Sequence, residues 1–128
     1  MVKFGTIEWA KEVKKVLEAD KDYTKLMKGC NFTRLTIVED KPELKPVFER
    51  LKDGFAVEIR NAEPNEKVDF SCAASYESWR ELVTGKVSAQ TAMIQGKTKV
   101  EGDIELMTKY LRGFMKAQEA QKKVAYEW

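Results

Sequence analysis

Two Gly-Lys pairs, Gly85-Lys86 and Gly96-Lys97, lie eleven residues apart in the stretch TGKVSAQTAMIQGKTKVEGD. A glycine beside a lysine can hold phosphate, because backbone N–H groups and an ammonium charge together cradle an anion. The spacing excludes that use here. A phosphate loop needs a further glycine five residues before the pair, and those positions are Arg80 and Thr91. Histidine is absent from all 128 residues, which removes the usual neutral-pH base, the Ser-His and Cys-His nucleophile pairs and the commonest metal ligand. Lysines and carboxylates without a patterned partner are all that remains for catalysis. Cys30 and Cys72 are too few and too far apart for a zinc cluster or a disulfide framework, so both read as reduced thiols. Cys72 alternates with Val68 and Phe70, which puts it on an apolar strand face as a small hydrophobe. Asn31-Phe32-Thr33 matches a glycosylation sequon, a match without meaning unless the chain is secreted.

Charge narrows the partners. Basic residues number 23 against 21 acidic, a net charge of +2, so no strong pull toward nucleic acid is expected. No window approaches eighteen consecutive apolar residues, and MVKFGTIEW lacks a basic-then-apolar leader pattern. A soluble, cytoplasmic protein is the expectation. The length is that of one domain, 1–128, large enough to bury a core without metal or disulfide support.

The elements that would position these residues follow from periodicity. From Thr6, a helix cap, Ile7, Trp9, Ala10, Val13, Val16 and Leu17 mark one apolar side of a helix. A second helical turn begins near Asp22 and stops at Gly29, so helices occupy about 6–28. NFTRLTIVED then alternates as a strand. Asp53-Gly54 predicts a tight hairpin between strands carrying Val47, Glu49 and Leu51 before it and Phe55, Val57 and Ile59 after it. KVDFSCAA reads as a strand, and Ser75 caps a helix with Trp79, Leu82 and Val83 that Gly85 closes. A short helix from Ser88 ends at Gly96, and KTKVEG is a lysine-bearing edge strand. Asp103 starts one long helix with the apolar stripe Ile104, Leu106, Met107, Tyr110, Leu111, Phe114 and Met115, and residues 116–128 form a charged tail, exposed or frayed. Helices bracketing about five strands give an α+β class with one sheet face covered. The two Gly-Lys pairs are then joints where short helices stop, with their lysines in solvent.

The order strand, Trp-containing helix, Gly-Lys, Gln-Ala helix, Gly-Lys, Lys-rich strand, Gly-Asp and apolar helix resembles the sterol-binding domain of the sterol carrier protein type two family. The resemblance rests on Asp69, Trp79, Leu82, Thr84, Gly85, Lys86, Gln90, Ala92, Gln95, Gly96, Lys97, Lys99 and Gly102, and covers residues 68 to about 115. It implies a five-stranded, mostly antiparallel sheet with helices on one face, and an apolar tunnel between the layers for a fatty acid, fatty acyl-CoA or sterol. No cofactor or metal is expected of that family. On that resemblance, Phe70, Trp79, Leu82, Val83, Ala92, Met93, Leu106, Met107, Tyr110, Leu111 and Phe114 are the tunnel candidates, and Lys86, Gln90 and Lys97 the head-group candidates. Methionines 93, 107 and 115 fall in the segment that would form the wall, where Met suits varied apolar shapes. Many eukaryotic members end in a peroxisomal Ser-Lys-Leu signal, whereas this chain ends Tyr126-Glu127-Trp128.

Several alternatives stay open on the residues alone. The Leu106 to Phe114 stripe serves equally as a lid over a lipid or as a helix packed on a sheet. Gly113 is either a hinge or a point of close contact, and Trp79 reads as a core anchor more than a stacking surface. The leading function is non-catalytic binding and transfer of an apolar lipid, with transient contact to membrane surfaces and either a monomer or a homodimer. An interaction module with a filled core is the second reading. An enzyme of lipid metabolism is the third.

Overall fold

The computed structural model describes residues 1–128. Helix α1 (Ile7–Glu18) and helix α2 (Lys21–Leu26) lead into strand β1 (Phe32–Val38), followed by β2 (Val47–Lys52) and β3 (Phe55–Asn61). Strand β4 (Phe70–Ala74), helix α3 (Tyr76–Val83), helix α4 (Ala89–Ile94) and strand β5 (Thr98–Gly102) come next, and α5 (Ile104–Lys109) and α6 (Leu111–Gln121) close the chain. The sheet runs β3-β2-β1-β4-β5. Only the central β1/β4 pair is parallel; the others are antiparallel. The expected α+β fold with a five-stranded, mostly antiparallel sheet is the observed one.

Local chemistry accounts for the boundaries. The side chains of Thr6, Asp20, Ser75, Ser88 and Asp103 each accept the N–H three residues on, capping five helices. Asp53 and Gly54 take φ of 52° and 80°, the left-handed pair that a tight hairpin turn needs. Asn31 Oδ1 accepts the Asp53 N–H (2.9 Å), and Asp53 Oδ1 accepts the Gly29 N–H (2.7 Å), so the hairpin tip is tied to the start of β1. The two Gly-Lys joints are built alike. Gly85 and Gly96 have φ of 81° and 72°. The following lysine donates its N–H back to Glu81 O (2.9 Å) in the first joint and to Ala92 O (2.8 Å) in the second, so both are helix stops in which glycine avoids a Cβ clash.

Two expectations at the C-terminal end are corrected. The single long helix is two, broken at Tyr110 (φ −112°, ψ 25°). The break turns α6 so that Gly113, Ala117 and Ala120 are buried, while Leu111 and Met115 stand half exposed. Small residues bring the α6 backbone close to its neighbours, and an apolar-stripe reading overlooks them because they carry little hydrophobic weight. Nor is the segment beyond residue 116 a loose tail. Val124 is buried, the N–H of Val2 donates to Ala125 O (3.0 Å) and that of Glu127 to Val2 O (2.8 Å). Trp9 Nε1 donates to Tyr126 Oη (3.1 Å), which donates in turn to Gln121 O (2.8 Å). The stacked rings of Tyr126 and Trp128 extend this contact toward Phe4. The C-terminus therefore seals the core beside the first helix.

Candidate functional site

The helix-covered face of the sheet is read from the register. Phe32, Arg34, Thr36 and Val38 of β1 lie beside Leu51, Glu49 and Val47 of β2 on one side and Phe70, Cys72 and Ala74 of β4 on the other. At the β4 end of this face the space is filled. Phe32, Phe70 and Phe114 form a triangle of rings with centroids 5.4 to 5.8 Å apart. Of the expected tunnel residues, Phe70, Trp79, Val83 and Ala92 are buried, and Leu82, Leu106, Met107, Tyr110 and Phe114 pack half-buried against them. Trp79 is anchored by Nε1 donating to Ile37 O (2.8 Å). Met93 and Leu111 do not join this group: they are 52% and 50% exposed and face outward. Lys86 and Gln90 stand in solvent, and Lys97 pairs with Glu81 at 3.6 Å.

Open space lies instead at the other end of the same face, between α1 and the edge strand β3. The β2/β3 register shifts between Arg50 and Leu51, and Val57 is the extra residue of this bulge, 62% exposed. A bulge bends and twists its strand, and here it opens a groove of about 390 Å³. Ala56, Val57 and Ile59 floor the groove, and Lys11, Lys14, Lys15 and Glu18 rim it. Lys15 is paired with Glu12 (3.1 Å). The lysine stems offer methylenes to the groove while their charges stay in water. Its volume falls in the range of ligand sites, roughly 300–1,000 Å³.

Beneath α1 the groove adjoins an inner cavity of about 10 Å³, sharing Lys14 and Ala56 with it. Val13, Leu17, Leu51 and Phe55 make its apolar wall, and Arg34 and Glu49 its polar one. These two are cross-strand partners joined by two bonds, Arg34 Nε to Glu49 Oε1 (3.0 Å) and Nη2 to Oε2 (3.3 Å). The Glu49 side chain is 5% exposed and that of Arg34 21%. Burial alone would lower the guanidinium pKa, yet the adjacent Glu49 carboxylate raises it on balance, so Arg34 stays charged. Burial also holds the nearby thiol of Cys72 above its usual range, and pushes the phenol of Tyr23 up to about 12. Tyr23 donates its hydroxyl proton to Gly54 O. No group of three or more acidic, cysteine or histidine side chains is placed to hold a metal ion. Sequence reasoning missed Arg34 and Glu49; the available signal was a charged residue at a core-facing strand position in each of two neighbouring strands.

Residues 13–114 match the model of the SCP-2 sterol transfer family. The chain belongs to the SCP-2 sterol transfer family. A crystal structure of sterol carrier protein 2 shares 20% identity, with a TM-score of 0.80 over 96% of this chain and 100% of that one. The solution structure of a conserved hypothetical protein from Thermus thermophilus shares 20% identity and a TM-score of 0.78, covering 99% and 93%. A sec-alkylsulfatase from a Pseudomonas species contains a similar fold within a longer chain: 21% identity, TM-score 0.52, 70% of this chain and 14% of that one. No curated protein sequence matches significantly. Membership in the SCP-2 family carries lipid binding and transfer as the general activity. No helix of this SCP-2 chain is long and apolar enough to cross a membrane.

Proposed function

We propose that this chain is a non-catalytic cytoplasmic carrier that takes up an apolar lipid, a fatty acid, fatty acyl-CoA or sterol-like molecule, between α1 and the sheet and delivers it at membrane surfaces. The observation that carries the reading is the apolar-floored groove over Ala56, Val57 and Ile59, which shares Lys14 and Ala56 with a small cavity beneath α1, in an SCP-2 family fold. Binding there draws on apolar area removed from water, about 0.8 kcal/mol per methylene. The groups of the core favour carriage over chemistry: Glu49 is committed to Arg34, and burial pushes the thiol of Cys30, outside the cavity lining, up to about 11, far from a thiolate nucleophile. Two unpaired thiols fit a reducing compartment.

A second reading, a partner-binding module with a filled core, draws on the Phe32-Phe70-Phe114 packing and on the exposed Met93, Ile94, Leu111 and Met115. Non-denaturing mass spectrometry with organic extraction of the purified protein separates the two. A stoichiometric lipid supports the carrier. An apo mass unchanged after incubation with lipid vesicles, together with concentration-dependent assembly, supports the module.

A further inference from the structure

We infer that the Arg34–Glu49 pair selects the ligand's head: it accepts a neutral lipid oxygen, hydroxyl or carbonyl, and Glu49 turns away a free carboxylate. This rests on the carrier reading and narrows its cargo to the acyl ester or sterol-like molecule, setting aside the ionised fatty acid. No buried side-chain nitrogen or oxygen in the protein lacks a partner, and Nη1 of Arg34 makes no hydrogen bond within the chain; it therefore reaches accessible space. The cavity that Arg34 lines has room for about one water-sized group, which suits a single ligand oxygen, with the hydrocarbon running out past Ala56 into the groove.

The donor is half of a neutralised pair. A neutral oxygen receives a charge-assisted hydrogen bond from Nη1 without disturbing it. A carboxylate at the same place would stand across one guanidinium from Glu49, whose oxygens are 3.0 and 3.3 Å from Nε and Nη2, and two carboxylates sharing a buried site resist joint ionisation. Lys14 borders the cavity but is partly solvated, and water screens its charge. A buried ion pair adds little to stability beyond well-packed apolar residues, so its place in the seam is better explained by what it binds.

The test titrates the intact protein with dodecanol and with dodecanoate at neutral pH, below micelle formation, by displacement of an uncharged fluorescent probe. Any apolar groove favours the uncharged chain, so the diagnostic is the change in the affinity ratio with Glu49→Gln. The expected result is a rise of at least roughly tenfold in the affinity ratio of dodecanoate to dodecanol, the equivalent of one pKa unit. An unchanged ratio overturns the inference, as does wild-type protein that binds dodecanoate the more tightly and loses it with Lys14→Gln. Should Glu49→Gln fail to fold, the infrared carbonyl band of a carbon-13-labelled long-chain methyl ketone bound to wild-type protein decides. A band moved below its position in hydrocarbon supports donation from Arg34, and an unmoved band overturns it. If both chains bind and the ratio is fixed, the selector fails and the carrier stands; if neither binds, both fail.

Discussion

Met27 fills the place that a side chain on Gly113 would need. A Cβ built on Gly113 would run into the Met27 sulfur and stand 2.7 Å from its Cγ, and on the other side a Cβ on Gly54 would meet the same side chain, 3.0 Å from Cγ. Met27 is fully buried, clamped between the β2–β3 hairpin tip and α6. Gly113 is thus a point of close contact, and the helix break lies at Tyr110. Alanine in a helix interior gains about 1 kcal/mol over glycine, whereas overpacking a core costs about 1–3 kcal/mol. Gly113→Ala is expected to lower stability by about 1 kcal/mol in the wild-type background, taking the difference of those ranges. In a Met27→Ala background the same change should stabilise. Urea denaturation of the four proteins checks it, and a loss of equal size in both backgrounds would sink the clamp.

The core ion pair has its own signature. Removing one partner leaves a buried charge, at about 3–5 kcal/mol, while replacing both by apolar residues of similar volume is often neutral or favourable. Glu49→Ala is expected to destabilise severely, and the Arg34→Met, Glu49→Met double variant to stay close to wild type. Denaturant midpoints measure both. A double variant as weak as the single one would show that the pair holds the fold rather than sitting in its seam.

Alkali should unfold the protein through two phenols. Tyr23 and Tyr126 are each raised from 10.0 to about 12, mainly by burial. A raised pKa means that the folded state keeps the neutral phenol, so this contribution is full below pH 10 and is lost as pH rises from 10 toward 12. Tyr23 and Tyr126 are expected to ionise late by ultraviolet titration, together with loss of structure. Tyr23→Phe should flatten the alkaline limb while costing about 1 kcal/mol at neutral pH for the lost bond to Gly54 O.

How much of this was legible follows from the range of each interaction. Asp53-Gly54, Gly85 and Gly96 were readable because a positive φ is decided within two or three residues. The break at Tyr110 was not, because it serves the contact of Gly113 with Met27, which lies just past α2, far back along the chain. Residues 116–128 looked like a solvated tail because their buried positions are Ala117, Ala120 and Val124 among charges, and Tyr126 meets Trp9 across the length of the chain. The Arg34–Glu49 pairing depends on the β1/β2 register, which the intervening connection leaves undetermined by local turn chemistry. The groove arises from a bulge at Val57 that FAVEIR does not announce, since its alternation looks regular.

Where the hydrocarbon lies is the remaining question, and Val57 answers it against Met93. Both are exposed apolar residues, at 62% and 52%, so an aspartate at either position should alter stability by no more than about 0.5 kcal/mol. Val57 floors the α1/β3 groove, whereas Met93 faces outward from α4. If the chain lies in the groove, Val57→Asp removes a valine-sized apolar contact worth about 1.5 kcal/mol and places a charge beside the hydrocarbon, weakening lipid binding roughly tenfold or more. Met93→Asp should leave binding unchanged. Titration of both variants with a fluorescent long-chain lipid measures the contrast. The reverse pattern would move the ligand to the α3–α6 layer, requiring the Phe32-Phe70-Phe114 triangle to open on binding.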